Sequence, residues 1–463
     1  MTAYDLIAEA DADDECRLWV RKLINAKDEI VAFVDSRLDG RGTGEYLGFL
    51  KGSFNVSFRV GFGDGKPSAL IRFAKPGHTL SAWRDEKVAN EVRVIEYLRE
   101  NTTIPLPRVQ CWGSADVSPA QLGSFMIMDF VEGIRLSTLL KEPNDDDQAD
   151  FILNPAIEEA TLDTIYDRLP IICSNSPGLN FPPLEPFPKM CLQAPWAVTG
   201  RPLTYNMNEL ATMTGYPTDQ FPTTHFERDS DYFETVARQH LLHLKTQRNL
   251  SSNEDDVRRR FFARRQFQRL VPKHCIEDAG PFRLFCDDMQ PSNMLVDPAT
   301  LRITAVLDFE FTNSMPAQFT YGPPWWLLLR GPDMWLDNYS LDEFLARYVP
   351  RMEQFLRALE RIEAKAAYTG GGGLPQNQRL SARMRDSWKT GRFWFNYAAR
   401  TSLDVDDIYW AALHDHAMDG NGIDSLDAAT RSDMEEMVKL KMEHRKAYNA
   451  DYGLRFPGEV KSK

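Results

Sequence analysis

The sequence is poor in the features that mark several protein classes. Its six cysteines, Cys16, Cys111, Cys173, Cys191, Cys275 and Cys286, are scattered, with no Cys-x-x-Cys pair. That pattern excludes a zinc ribbon and a disulfide scaffold, and it fits a reducing compartment. Long apolar runs are also missing. The densest, Trp325 to Leu329, is far too short to span a bilayer. Met1 to Asp14 is acidic and carries no apolar signal core, so the expectation is a cytoplasmic protein with no membrane partner. Positive charge is in deficit: the formal net charge is −13, which argues against nucleic acid as a partner. No repeat at a solenoid period is visible, and nothing signals an oligomeric state.

What remains is the balance of a soluble globular chain, 43% hydrophobic and 26% charged. At 463 residues it is too long for one compact core and suits two lobes. Cys16 to Leu38 has helical periodicity. Tyr46 to Val60 and Ser68 to Phe73 are β-prone runs, separated by a turn at Gly61, Gly63, Asp64 and Gly65. A helix is predicted over Trp83 to Glu100, then strands over Arg108 to Trp112 and Ser124 to Val131. After Gly133 helices dominate. Asp231 to Gln247 is amphipathic, and Ser251 with Glu254 has capping-box spacing before Val257 to Leu270. Pro177 to Pro222 reads as a long loop. Gly370 to Gly373 reads as a joint between helical stretches at Leu341 to Ala367 and Ser381 to Leu413.

The chemistry concentrates in Cys286-Asp287-Asp288-Met289-Gln290-Pro291-Ser292-Asn293. A loop of this length can set the Asp288 carboxylate and the Asn293 amide oxygen around one phosphoryl-transfer centre. The carboxylate would orient an attacking hydroxyl or accept its proton. The amide oxygen would hold magnesium, a hard cation that takes oxygen ligands. Met294 to Asp297 and Ile303 to Leu307 then read as a hairpin, which returns Asp308-Phe309-Glu310 to the same metal. An Asp-x-x-x-x-Asn loop followed at this distance by Asp-Phe-Glu matches the catalytic and metal loops of the kinase template.

With Gly52-Ser53-Phe54-Asn55, Ile71-Arg72-Phe73, Asn90-Glu91-Val92, Thr103 to Pro107, Asp308 to Phe311, Pro316 to Phe319 and Pro323 to Trp326, the chain resembles a known family. It is similar to the aminoglycoside phosphotransferase and choline kinase branch of the protein-kinase-like fold. Within that branch it resembles most the fungal phosphotransferase-domain subgroup. The likeness runs from about residue 45 to residue 450. It implies an α+β, bilobal protein-kinase-like fold. Residues 1–131 would form a nucleotide-binding N-lobe with a helical extension. Residues 132–463 would form a mainly helical C-lobe carrying the catalytic loop, the metal loop and substrate-binding helices. It implies a small-molecule kinase that uses ATP and Mg2+ to phosphorylate a hydroxyl. Catalytic residues would be Asp288, Asn293 and Asp308, with Asn293 and Asp308 on the metal. Gly52, Ser53, Phe54 and Asn55 would turn over the phosphates. Arg72, in the place usually held by lysine, would pair with the phosphates and with Glu91, or with Glu86. Met128, Asp129, Phe130 and Val131 would be the hinge for adenine. Asp287 and Glu310 would suit a cationic acceptor. No segment ending in Ala-Pro-Glu is present, which disfavours a protein acceptor.

Two positions depart from the family pattern. Cys286 replaces the usual histidine, which removes a buried hydrogen bond that steadies the loop, and Glu310 replaces glycine, as in choline kinases. Cys286 and Arg72 motivate the alternative of a pseudokinase, a nucleotide-binding scaffold without turnover. Plainer readings stand beside the others. Gly52 could be a turn glycine, and Arg72 with Glu91 a surface ion pair. His240 and His243 read as one packed or exposed helix face, as does His414-Asp415-His416. Trp325 and Trp326 read as core, Cys286 as a small packed residue, and Arg258 to Arg265 as a solvated basic face.

Overall fold

Strand alternation between Gly44 and Asp129 builds the sheet and decides what each of its faces does. A computed structural model describes residues 4–63, 65–143, 151–169, 196–370, 375–415 and 422–458. Asp64, residues 177–195 of the proline-rich segment, residues 371–373 and His416 lie outside these. Strands β1 (Gly44–Lys51), β2 (Asn55–Phe62), β3 (Ala69–Ala74), β4 (Val109–Gly113) and β5 (Phe125–Asp129) form an antiparallel sheet in the order β1-β2-β3-β5-β4. Val56, Phe58, Val60, Ile71, Phe73, Phe125 and Ile127 are all buried on one face. That face packs against Trp19, Leu23, Ile30 and Val34 of two N-terminal helices, α1 (Leu6–Asn25) and α2 (Lys27–Arg37). The opposite face, with Leu70, Met126 and Met128, meets Val88, Val92 and Ile95 of helix α3 (Arg84–Asn101).

The predicted first helix therefore starts ten residues early and breaks at Ala26. Asp5 caps it by accepting from the amides of Ile7 and Ala8, an N-terminal signal that lies before the apolar periodicity begins. The helix also does more than extend the sheet lobe. Trp19 Nε1 donates to Leu122 O at 2.7 Å, while Arg455 ion-pairs with Asp11 and Asp14. It thus ties the sheet to the long C-terminal helix Ala428–Arg455. The predicted single run over Tyr46 to Val60 is two strands, because the chain reverses at Gly52-Ser53-Phe54.

Beyond Asp129 the chain is mostly helical. A short strand, β6 (Ile134–Arg135), already pairs with β8 (Met294–Asp297), which pairs with β9 (Arg302–Val306). A second small ribbon joins β7 (Phe282–Phe285) to β10 (Asn313–Pro316). The fold is bilobal α+β, with a sheet lobe and a mainly helical lobe. Part of the predicted loop Pro177 to Pro222 is helix Tyr205–Met213, capped by Thr204 Oγ1 accepting from Met207 N at 3.2 Å. Helix Glu254–His274 is capped by Asn253, not Ser251: Asn253 Oδ1 accepts from Asp256 N at 2.9 Å, and Asp256 accepts from Ser252 N at 2.8 Å. The predicted stretch Ser381 to Leu413 is broken into helices Leu380–Lys389, Arg392–Arg400 and Val405–Ile408 and a final turn of π-helix, with a left-handed glycine, Gly391 at φ 73°, at the first break.

Several polar side chains serve this packing. His240 and His243 are fully buried, so their helix face is packed; burial pushes His240 down to about 3. Arg264, expected on a solvated face, is also fully buried and forks onto Asp406 at 2.8 and 2.9 Å. Asp406 also accepts from Arg260 at 2.7 Å. The basic cluster is thus largely spent on internal ion pairs. No helix among the described residues is long and apolar enough to cross a membrane, and the four described cysteines are free.

Asp229 has no such partner. It is fully buried, and neither carboxylate oxygen finds a hydrogen bond among the described residues. Burial pushes its carboxyl up to about 7, with Asp278 and Glu277 adding repulsion. A carboxyl raised in the folded state is harmless below its unfolded value and costs stability as pH climbs towards the folded value. Asp229→Asn should therefore melt several degrees higher than wild type at about pH 8, with the gap closing towards about pH 4. An equal gap at both ends in calorimetry would sink this assignment.

Candidate active site

Pleat and helix period bring the first charged pair together. Arg72 alternates with Ile71 and Phe73 on β3, so it points away from α1 and α2 and towards α3. There its NH1 donates to Glu91 Oε1 at 2.8 Å. Glu91 is 2% exposed, so this is no surface salt bridge. The guanidinium forks: NH2 donates to Asp308 Oδ1 at 2.6 Å and lies 3.4 Å from Glu310 Oε2. Glu86, the alternative partner, pairs instead with Arg201 at 2.7 Å. Burial opposes the charge of Arg72, but Asp308, Glu91 and Glu310 outweigh it and hold its pKa above the ordinary value.

The loop predicted to be catalytic, Cys286–Asn293, follows β7 and is held by its own side chains. Asn293 Nδ2 donates to Asp288 Oδ2 at 2.8 Å and to Asp288 O at 2.9 Å, and Gln290 Nε2 donates to Asp288 Oδ1. Burial pushes the Asp288 carboxyl up to about 7, and the nearby Asp308 charge adds to this. The hairpin of β8 and β9 then returns the chain, with Leu307 N donating to Asn293 O at 2.8 Å. Asp308 follows at φ 66° and Phe311 at φ 57°. Non-glycine residues hold that left-handed conformation only where the surroundings impose it. Phe309, 1% exposed, anchors the turn between them.

The loop contains a contact that the sequence did not disclose. Arg400, from helix Arg392–Arg400, donates Nε to Asp287 Oδ1 at 2.5 Å and NH2 to Asp287 O at 2.8 Å. Cys286 does not leave the loop wholly untied either, since its thiol reaches Asp308 O at 3.8 Å. Burial pushes that thiol well up, which makes it a packed residue and not a nucleophile. The acidic pair expected to receive a cationic acceptor needs correction. Asp287 is neutralised by Arg400, and Glu310 by Lys87 and Arg72. Burial works against the Glu310 charge, yet Lys87 and Arg72 hold its pKa below the usual range. Other carboxylates near the loop make no ion pair among the described residues. Glu209 accepts from Tyr4 and Tyr205, each at 2.7 Å. Asp333 accepts from Tyr397. Asp404 is pushed well up by burial and then by Asp333 and Glu209.

The Gly52–Asn55 turn closes by Gly52 N donating to Asn55 O at 2.9 Å. Gly52 is not left-handed, and a Cβ there would meet only Asn55 O at 3.6 Å. The turn itself therefore does not demand glycine. Phe54 packs edge-on against Phe311 at 5.2 Å and Tyr205 at 5.7 Å, fastening the turn to the helical lobe. In the segment Met128–Val131, expected to be the hinge, Asp129 N donates to Arg108 O and Phe130 N to Ser68 O, both at 2.9 Å. Val131 N is the amide left without a bond among the described residues.

The donor set suits a magnesium nucleotide. Arg72 takes Asp308 Oδ1, and Asn293 turns its amide nitrogen to Asp288. Asp308 Oδ2 and Asn293 Oδ1 have no partner among the described residues, and both are oxygens. No group of three or more His, Cys, Asp or Glu able to hold a metal occurs among the described residues. Magnesium bound together with phosphates needs only one or two protein carboxylates. A cavity of about 160 Å³ is lined by Cys286, Met289, Phe309 and Trp325 among others, and its lining does not include Asp288, Asn293 or Asp308. Trp326 is core at 3% exposed, while Trp325 lies under Arg400 at 5.2 Å.

No curated protein matches the sequence. Among solved structures, aminoglycoside phosphotransferase APH(4)-Ia is similar at 14% identity, over 82% of this chain and 99% of that one, with a TM-score of 0.42. A choline kinase from Cryptosporidium parvum is similar at 11% identity, over 90% and 96%, with a TM-score of 0.41. A Plasmodium vivax ethanolamine kinase is similar at 11%, over 90% and 85%, with a TM-score of 0.40. The sequence pattern of the phosphotransferase enzyme family matches residues 46–359, well over half of the chain, and spans the Gly52 turn, Arg72, Glu91, the catalytic loop and Asp308; the chain belongs to that family.

Proposed function

We propose that the protein transfers the γ-phosphate of ATP, with Mg2+, to a hydroxyl of a small molecule. The observation that carries this reading is the convergence of Arg72, Asp288, Asn293 and Asp308, from three separate segments, at one partly open centre. Residues 1–131 are the nucleotide-binding lobe, and residues 132–463 carry the catalytic loop, the metal loop and the acceptor-binding helices. On the motif set we propose that the chain belongs with the fungal subgroup, and we read it as cytoplasmic.

Bound magnesium would neutralise phosphate charge, and Asn293 Oδ1 and Asp308 Oδ2 are the oxygens that would hold it. Arg72 would face the phosphates while Glu91 holds it. The hinge offers Val131 N to adenine. Asp288 positions the acceptor hydroxyl and takes its proton as the hydroxyl oxygen bonds to phosphorus and the bond to the ADP oxygen breaks. The acceptor we infer is cationic, because Glu209, Asp333 and Asp404 lie near one another with no ion pair among the described residues, Glu209 bonded to Tyr205 and Asp333 to Tyr397. The scaffold alternative gains nothing: Cys286 keeps a contact to Asp308, and Arg72 pairs with Glu91 as a phosphate-facing cation should.

The test is thermal unfolding with ATP, with and without magnesium, followed by an acceptor screen of amino alcohols against neutral polyols. A ligand at a hundred times its Kd adds about 2.7 kcal/mol. We expect a magnesium-dependent shift, then ADP formation with amine-bearing acceptors. A shift with no turnover on any acceptor would favour the scaffold. No shift at millimolar ATP would remove the nucleotide reading.

A further inference from the structure

Lys87 lies on α3 one turn before Glu91, so both side chains face the same way. It is 1% exposed. Its ammonium ion-pairs with Glu310 Oε2, donates to Asn55 Oδ1 at 3.2 Å and sits 5.3 Å from the centre of the Phe311 ring. Asn55 Nδ2 donates to the same Glu310 oxygen at 2.7 Å. The three side chains close a ring of contacts among helix α3, the end of the Gly52–Asn55 turn and the metal loop.

Asn55 links this ring to the turn itself, because its carbonyl accepts from Gly52 N at 2.9 Å. A second bond, from Lys75 N to Phe54 O at 2.9 Å, ties the turn to the end of β3. Lys87 is 1% exposed and its ammonium is spent on Glu310, Asn55 and the Phe311 ring. Its effect on the nucleotide is therefore indirect and runs through Asn55. Glu310 supplies what a glycine at that position could not, a carboxylate that accepts from Lys87 and Asn55 together. A lysine on α3 and a glutamate in the metal loop explain each other, since Lys87 alone would be buried without a counter-ion and Glu310 alone would have only Arg72, which it shares with Glu91 and Asp308.

We propose that Lys87 is a positioning residue that, through Glu310 and Asn55, holds the Gly52–Asn55 turn closed before nucleotide arrives. The proposal rests on the nucleotide reading above. A turn already closed spares the ordering cost of binding. Its loss registers in nucleotide affinity and leaves the acceptor side alone.

Hydrogen–deuterium exchange of the peptide containing Gly52 to Asn55 in the ligand-free, full-length protein tests the latch directly. Steady-state kinetics test its consequence. Lys87→Met and Asn55→Ala should each speed exchange of that peptide and raise KM for ATP about tenfold, with kcat and the acceptor KM little changed. Asn55→Ala keeps the Lys87–Glu310 pair, so it carries the test even where Lys87→Met fails to fold. Unchanged exchange in the folded variants overturns the proposal. So does a fall in kcat with KM for ATP unchanged. A wild-type protein that neither binds nor consumes ATP defeats the phosphotransferase reading instead, and the exchange comparison still decides the latch.

Discussion

Asp308→Ala is expected to lower magnesium-dependent turnover about a thousandfold and to abolish the thermal shift given by MgATP. Phosphoryl transfer offers the protein little covalent work, so positioning and charge neutralisation carry most of the rate. Asp308 gives one oxygen to Arg72 and keeps Oδ2 without a partner among the described residues, which is why we propose it as the principal holder of the metal. The same substitution should leave the ligand-free fold intact, for a reason found in the local charges. Arg72 and Lys87 are shared among three carboxylates, Glu91, Asp308 and Glu310. Removing Asp308 leaves two of each sign, and Arg72 keeps its 2.8 Å bond to Glu91. Its melting temperature without ligand should therefore match or exceed that of the wild type. Initial rates over a magnesium series, read beside melting curves, check both halves. Full turnover in Asp308→Ala would refute the metal assignment. A collapsed fold would refute the charge argument and leave the metal assignment to Asp308→Asn.

The parts of this site that are close in sequence could be read from it, and the parts that are not could not. Asp288 and Asn293 share one loop, and a short hairpin joins them to Asp308. Spacing alone therefore predicts their meeting. Arg72 and Glu91 are legible too, because a strand and the helix after it have periods that place both residues on facing sides. Arg400 is different. It reaches Asp287 across 113 positions, from a helix whose sequence shows only an arginine in its last turn. Nothing in such a sequence distinguishes that arginine from one in solvent. Lys87 hides for the same reason, since a lysine on a helix is by default a surface residue. Its one available signal was Glu310, an acid in a glycine position that must find a buried cation somewhere. Arg264 carried a similar hidden role among five nearby arginines, and only Asp406, far along the chain, reveals which of them is buried. Helix Tyr205–Met213 was obscured by composition. Prolines flank it on both sides, and its Thr204 cap is a stronger local signal than the prolines around it.

Asp288→Asn should separate chemistry from binding. The substitution keeps the size and shape of the side chain and removes the base. Loss of a positioned proton acceptor costs about a hundred- to ten-thousandfold in kcat, and MgATP should still shift the melting temperature as it does in wild type. One local penalty is expected. Asp288 accepts from Asn293 on one oxygen and from Gln290 on the other. An amide presents one acceptor and one donor, so one of these two neighbours would face a donor and must turn. If Asn293 is the one that turns, its Oδ1 leaves the direction in which it would hold a metal, and nucleotide binding weakens along with turnover. If Gln290 turns, binding survives. Titration of ATP with magnesium against Asp288→Asn and against the double variant Asp288→Asn/Gln290→Ala tells these apart. Removing Gln290 frees one side of residue 288, so the double variant should bind MgATP as wild type does while remaining slow. Wild-type kcat in Asp288→Asn would show that another group takes the proton, and the assignment of the base would then fail while that of the metal site stands.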